Sequence, residues 1–153
     1  RIWFLVYDPS EQRKIDLRLG DFETATIKAG KRWSLISMKK CFPDWMASHE
    51  YKEEYFNDPE TLVDQLEVEF KQYAIQYLTS EIENHNVDDN TLIVIRDISS
   101  LFGFNRISDI LNGCSGSFKG RVLVFFPGEF EKNHYRLLDA RDGWSYLARP
   151  ITA

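Results

Sequence analysis

The chain has 153 residues, of which 43% are hydrophobic and 28% are charged, and its formal net charge is −5. These values are typical of a single globular domain with a buried core, and they exclude an intrinsically disordered chain. The excess of acidic residues gives no overall electrostatic reason for tight binding to nucleic acid. No apolar stretch approaches the roughly 18 residues of a membrane-spanning helix.

The first predicted element is a continuous apolar strand over Ile2–Val6, followed by a helix. Asp8 and Pro9 stand where a capping carboxylate and a first-turn proline begin a helix. Apolar residues then recur with helical spacing at Ile15, Leu19, Phe22 and Ala25. Gly20 interrupts this stripe and predicts a break between two shorter helices. The strand-to-helix turn lacks the glycines and lysine of a phosphate-binding loop, and its acidic residue repels phosphate, so a P-loop is excluded.

The second predicted strand, Trp33–Met38, is followed by a segment with too many aromatic residues for an idle linker. These residues are Phe42, Trp45, Tyr51, Tyr55 and Phe56. We favour one or two short helices that cover the edge of the sheet. The alternative is a protein-contact surface, because Trp and Tyr are frequent anchors of interfaces. A long amphipathic helix is predicted next, from Asp58 to about Tyr77.

Residues 91–129 predict a strand–loop–helix–strand unit. Leu92–Ile95 and Val122–Phe126 are short runs of β-branched and aromatic residues, bounded by Gly, Pro, Asp or Ser. Between them apolar residues recur with helical spacing at Phe104, Ile107, Ile110 and Leu111. A crossover of this kind joins parallel strands, so we predict an α/β protein with a mainly parallel sheet and helices on both faces.

The end of the chain predicts an antiparallel hairpin added to the edge of the sheet. Its strands are Arg136–Leu138 and Trp144–Ile151, and its turn carries the Asp-Gly signature at Asp142. We therefore expect residues 1–153 to form one α/β domain. Because the chain begins inside a strand and without methionine, we expect the full-length protein to have a further N-terminal segment.

Charged residues follow the predicted strands at the carboxyl edge of the sheet, where α/β proteins gather their ligands. They are Asp8, Asp97, Arg106, Glu129 and Arg136. If the three carboxylates converged they would suit Mg²⁺, and Arg106 would suit an anion. We prefer a structural interpretation, which predicts at least one Arg–carboxylate pair among the last four of these residues.

No recognisable catalytic motif is present, and we assign no catalytic residue, metal or cofactor. Ser99 and Ser100 lack the GxSxG elbow of hydrolases and suit a loop or a helix cap. Cys41 and Cys114 have no metal-ligand spacing and predict buried, unpaired thiols in a reducing cytoplasm. A local DNA-binding patch is the alternative. Its basic residues would be Lys28, Lys31, Arg32, Lys39 and Lys40. The net charge nevertheless predicts no strong independent DNA binding.

Four stretches are familiar in this order: RIWFLVYDP, CFPDWMASHEYKEEYF, SLFGFNRISDIL and RVLVFFPGEFEKNHYRLLDARDGWSYLARPIT. Together they resemble the BrxB family of bacterial BREX (bacteriophage exclusion) phage-defence systems. The resemblance implies a Rossmann-like three-layer sandwich and a cytoplasmic, non-catalytic adaptor or scaffold. It implies phosphatase-like and methyltransferase-like proteins of the same system as partners. The alternative is a nucleotide- or phosphate-binding enzyme that uses the acidic residues at the carboxyl edge.

Overall fold

The computed structural model describes residues 2–48, 53, 57–58, 60, 66–101, 106–131, 134–137, 144–145 and 149–152. The helices are α1 (Gln12–Lys28), α2 (Cys41–Ser48), α3 (Lys71–Asn84) and α4 (Ile107–Gly113). The strands are β1 (Ile2–Tyr7), β2 (Arg32–Ser37), β3 (Thr91–Arg96), β4 (Arg121–Glu131), β5 (His134–Leu137), β6 (Trp144–Ser145) and β7 (Arg149–Thr152). A 3₁₀ turn, Pro9–Glu11, precedes α1, and a π-helical turn, Leu66–Phe70, precedes α3.

Five parallel strands form the main sheet in the order β2-β3-β4-β1-β7. β1 lies beside β4 over its full length, from Ile2 opposite Val122 to Tyr7 opposite Pro127. Parallel neighbours need a connection that crosses a face of the sheet, and α4 supplies it between β3 and β4. The strand–helix–strand unit predicted for residues 91–129 is therefore confirmed.

Two hydrophobic clusters lie on opposite faces of this sheet, because successive side chains of a strand point to opposite sides. The larger cluster contains Phe4 and Ile93 from the strands, together with buried side chains of α2, α3 and α4. The smaller contains Leu5, Val94 and Phe125, and three partly buried residues of α1 pack against it. We call the side of the smaller cluster the α1 face.

The predicted C-terminal hairpin is wrong. The final strand, β7, is not the partner of β5 but pairs in parallel with β1, from Trp3 opposite Arg149 to Val6 opposite Thr152. The antiparallel pairs of this region start from β4 itself, which pairs with β5, and β5 pairs with the two-residue strand β6. The Asp-Gly signal predicts a turn from neighbouring residues alone. The side of β1 that does not pair with β4 has backbone N–H and C=O groups that need hydrogen-bond partners, and β7 supplies them. No local sequence pattern indicates this pairing.

Helix α1 differs from the prediction of two shorter helices, because it continues through Gly20 without a break. A helix tolerates an exposed glycine at a cost of about 1 kcal/mol, and nothing lies within 4 Å of a side chain built there. Ile15, Leu19 and Phe22 face the sheet as predicted, yet no residue of α1 is fully buried. Among the described helices, none is both long and apolar enough to cross a membrane.

Candidate functional site

The strands β1 and β4 are neighbours whose following connections leave in opposite directions. From β1 the chain crosses the α1 face to reach β2. From β4 it passes through β5, whose Tyr135 and Leu137 belong to the cluster on the other face, before it reaches β7. A parallel sheet opens a crevice at such a point, outside the carboxyl ends of the two strands, and α/β proteins commonly bind ligands there.

An open cleft of about 940 Å³ occupies this point. One wall is the first half of α1 and the end of β1, and the other is the outer part of β4. Its carboxylates are Asp8, Glu11, Glu129 and Glu131, and its cations are Lys14 and Arg18. The structure thus places two of the predicted edge residues, Asp8 and Glu129, along one cleft.

Asp8 caps the 3₁₀ turn that precedes α1. Its carboxylate accepts a hydrogen bond of 2.9 Å from the backbone N–H of Ser10, as a helix-capping residue does. Hydrogen bonds from the backbone and side chain of Ser10 lower the pKa of Asp8. Because a negative charge already occupies this helix start, the position does not suit a phosphate group.

A chain of polar contacts crosses the carboxyl edge between α1 and the strands, and we call it the edge network. Tyr7 donates a hydrogen bond to Gln12, and Gln12 Nε2 donates to Asp16 Oδ1 at 2.9 Å. Arg96 at the end of β3 donates to the same Asp16 oxygen at 2.7 Å. Burial raises the pKa of the Tyr7 hydroxyl to about 12, so this end of the network stays protonated at neutral pH.

Asp97 completes the edge network. Its Oδ2 lies 3.1 Å from Arg96 Nε and accepts a hydrogen bond of 2.5 Å from Ser37 Oγ at the end of β2. The backbone of Asp97 is left-handed, with φ of 61°, a conformation that Asp tolerates better than most residues. Ser100 fixes this turn, since its backbone N–H and its hydroxyl both donate to the carbonyl of Asp97. Ser100 belongs to the 3₁₀ turn Ile98–Leu101, whereas the sequence favoured a loop or helix-cap position.

The five predicted edge residues do not form one cluster. Asp8 and Glu129 line the cleft, whereas Asp97 belongs to the edge network. Arg106 is the exposed residue before α4 and forms no ion pair within the described part of the chain. The strand register places Arg136 opposite Glu129, although the side chain of Arg136 lies outside the described part. The predicted Arg–carboxylate pair among Asp97, Arg106, Glu129 and Arg136 stays a prediction.

Sequence reasoning missed Arg96 and Asp16, the charged pair at the centre of the edge network. Arg96 ends the apolar run of β3, where a cation would have been expected to point into solvent. Asp16 lies on α1, 80 residues away in sequence. The one local signal was the direct succession of Arg96 and Asp97 at a strand end.

The described residues include no metal-binding cluster, and the two cysteines are buried. Within the residues that the structure describes, no group of three or more His, Cys, Asp or Glu side chains could hold a metal ion. Cys41 and Cys114 are both buried, which confirms that part of the prediction. Burial raises the pKa of the Cys41 thiol to about 12, so it has little nucleophilic thiolate at neutral pH.

A comparison with protein-family models shows to which family this sequence is related. The model described as "BREX protein BrxB" matches residues 33–149, about three quarters of the chain. The chain belongs to the BrxB family. It is therefore a component of a BREX phage-defence system. The search of curated proteins and the search of solved structures returned no match.

The BrxB match covers one wall of the cleft and not the other. The wall supplied by β4, including Glu129, lies inside the matched residues 33–149, whereas β1 and α1 precede them. Arg96 and Asp97 lie inside the match, and Asp16 precedes it. The edge network therefore ties a segment outside the match to the strands of the matched BrxB region.

The aromatic residues proposed for partner contact fall into two groups. Trp45 is 4% exposed and packs against Phe70, with ring centroids 5.3 Å apart, while Phe42 is half-buried beside both rings. Through these two residues α2 packs on the larger cluster, so it covers one face of the sheet and not its edge, where the favoured interpretation placed it. Tyr51, Tyr55 and Phe56 lie outside the described residues.

Proposed function

We propose that this BrxB protein is a non-catalytic adaptor or scaffold that holds other proteins of a BREX complex together. The family assignment supports a role in the complex, and the absence of a recognisable catalytic motif in the sequence favours contact over chemistry. We interpret the two helical layers and the parallel sheet as a Rossmann-like sandwich in a single domain. Phosphatase-like and methyltransferase-like BREX proteins are the proposed partners.

The observation that carries this proposal is the unequal covering of the two faces of the sheet. The larger cluster is covered by side chains of α2, α3, α4 and β5. On the α1 face, α1 is the only helix in the described part of the chain, and it shields five strands incompletely. Four apolar side chains of this face stay half-buried, namely Trp3, Trp33, Leu35 and Leu92.

One strongly exposed apolar side chain extends this surface. Ile151 of β7 is 42% exposed, and its register with Leu5 places it on the same α1 face. The α1 face thus carries Ile151 and the four half-buried residues named above, and a group of accessible apolar side chains on one face is typical of a protein-contact surface, whereas scattered single residues are not. A partner protein on this face would cover them.

The aromatic segment after α2 remains a second proposed contact for the same role. Of its five candidates, Trp45 is a core residue, so its truncation tests stability more than contact. Phe42 is half-buried and keeps part of its ring accessible. Tyr51, Tyr55 and Phe56 are retained as candidates from the sequence alone.

Co-expression with the neighbouring genes of the operon tests the adaptor function. The tagged chain should co-purify with a phosphatase-like or methyltransferase-like protein, and Ile151→Asp should reduce recovery at least about fivefold, because it puts a charge into an apolar contact on the α1 face. Val68→Asp is the matched control, since Val68 is 62% exposed and lies outside the α1 face. A chain that recovers neither partner, or that loses it equally with both variants, would contradict the proposal.

A second candidate function, the nucleotide- or phosphate-binding enzyme, is favoured by one observation only: the cleft lies at the switch point of the sheet. Arg18 would then contact a phosphate, and Glu129 would contact a metal ion. Against it, Asp8 already caps the adjacent helix start. Calorimetry with Mg²⁺ and ATP or GTP should show no saturable binding. Micromolar affinity that Arg18→Ala abolishes, while Arg13→Ala preserves it, would establish the enzyme in place of the adaptor.

A further inference from the structure

A slot of about 300 Å³ lies between the second half of α1 and the amino ends of the strands. Trp3 of β1 and Leu92 of β3 line it from the sheet. Phe22, Ala25 and Ala29 line it from the helix. It lies at the opposite edge of the sheet from the cleft, so it is a separate site.

The sequence of α1 explains why the slot is open. The sheet-facing positions of α1 as far as Phe22 carry the large residues Ile15, Leu19 and Phe22, which fill the space above the strands. Further along the same flank of the helix stand Ala25 and Ala29, whose methyl groups are too small to reach the sheet. Ala25 is exposed and Trp3 is half-buried as a result.

Two arginines stand on either side of Trp3 on the α1 face. Arg121 of β4 places its guanidinium carbon 5.7 Å from the centroid of the Trp3 ring. Arg149 of β7 is the register partner of Trp3, so its side chain leaves the sheet on the same face. Within the described part of the chain neither arginine forms an ion pair with a carboxylate. A chain with a net charge of −5 therefore presents two cations beside an apolar slot, neither of them in an ion pair with a described carboxylate.

Three other polar side chains in the lining of the slot form hydrogen bonds within the chain. Lys31 Nζ donates to Asn90 Oδ1 at 2.9 Å, and Thr26 Oγ1 donates to the carbonyl of Phe22 at 2.8 Å. Thr91 Oγ1 donates to Asp88 Oδ1 at 2.7 Å. Asp89 is exposed and also lines the slot. The groups left for a ligand are thus apolar walls, the Asp89 carboxylate and the guanidinium of Arg121, with the guanidinium of Arg149 beside the slot. Guanidiniums bind carboxylates through a planar fork.

We propose that the slot binds a segment of a partner protein in which a large apolar or aromatic residue is flanked by acidic residues. The apolar side chain would fill the slot, and the acidic residues would pair with Arg121 and Arg149. A volume of about 300 Å³ is at the lower limit for small-molecule pockets and suits one anchoring side chain. Nucleic acid is the less suitable occupant, because it needs a longer cationic track than two arginines. This inference rests on the adaptor function and specifies where and how the partner binds.

The test measures the affinity of the full chain for the BREX protein that co-purifies with the wild type. Arg121→Glu and Arg149→Glu reverse the charge, and Ala25→Leu and Ala29→Leu fill the slot. Arg13→Glu and Ala47→Leu are matched controls, since Arg13 and Ala47 are exposed and lie outside the slot. Thermal melting followed by circular dichroism identifies any variant that fails to fold. If one charge-reversal variant or one slot-filling variant fails, the second variant of the same type still tests the site.

We expect each slot variant to raise the dissociation constant at least about tenfold and each control to change it less than about twofold. Crosslinking should map the contact to a partner segment with acidic residues beside an apolar one. If the wild-type complex forms but folded slot variants bind normally, or if the mapped segment is basic, the inference is wrong and the adaptor function stands. Binding that a nuclease abolishes assigns the site to nucleic acid instead. If the wild type binds no BREX protein, both proposals fail.

Discussion

Replacing Gly120 by alanine should lower the free energy of unfolding by about 3 kcal/mol, at the upper end of the cost of overpacking. Gly120 immediately precedes β4, against the start of β3. A Cβ atom there would lie 2.1 Å from the carbonyl oxygen of Thr91 and 2.9 Å from that of Asp88. Both are backbone atoms, so no side-chain rotation relieves the clash. In the variant, either β4 or the turn before β3 would have to move. This movement would strain the pairing of β3 with β4, which begins at Leu92 opposite Arg121.

Gly20→Ala is the matched control for this substitution. Gly20 lies within α1, and nothing is within 4 Å of the added methyl group. Alanine there should stabilise the protein by about 0.5–1 kcal/mol, because it restricts the unfolded chain and favours the helix. Urea denaturation of both variants measures the difference. Equal stabilities for Gly120→Ala and the wild type would contradict the close approach of β4 to the 88–91 turn.

The second large effect is expected from Arg96→Met, which should cost about 2–3 kcal/mol. Arg96 pairs with Asp16 at 2.7 Å and lies 3.1 Å from Asp97, and its side chain is only 22% exposed. Removing the cation takes the ion-pair partner from the carboxylates of Asp16 and Asp97, which keep only their hydrogen bonds from Gln12 and Ser37. The loss should also loosen α1 from the sheet, because the ion pair of Arg96 with Asp16 joins the end of β3 to α1.

Arg32→Met provides the comparison, because it removes an arginine from an exposed pair. Arg32 lies 3.0 Å from Asp88, and both side chains are about half exposed. Solvent screens such a pair, so the change should cost no more than about 1 kcal/mol. Chemical denaturation and hydrogen exchange of α1 amides measure the two variants. A smaller loss for Arg96→Met than for Arg32→Met would contradict the central role of the edge network.

The strands and the βαβ unit were predictable because their signal is local. The apolar runs around Ile93 and Val124 are buried on both faces of a parallel sheet, and such strands carry an uninterrupted hydrophobic pattern. The position of β7 was not predictable in this way. Its four residues are all exposed, and its place is set by the open edge of β1, a partner nearly 150 residues earlier.

The candidate site was predictable in its place but not in its connections. Parallel strands put Asp8 and Glu129 at one edge by topology, and the cleft between them follows from strand order. The ion pair of Arg96 with Asp16 depends on how α1 crosses the sheet, which no local pattern encodes. Trp45 reads as an interface anchor in the sequence, yet Phe42 and Phe70 enclose it. Composition alone does not separate a core aromatic from a contact residue.

The adaptor account is tested most directly by hydrogen–deuterium exchange of the chain, alone and in complex with the BREX protein that co-purifies with it. Because α1 has no fully buried residue, its amides should exchange through local opening in the free chain. The account predicts that the complex slows exchange in α1 (Gln12–Lys28) and β7 (Arg149–Thr152) and leaves α3 (Lys71–Asn84) unchanged. Protection confined to α3, with α1 and β7 exchanging as in the free chain, would contradict it.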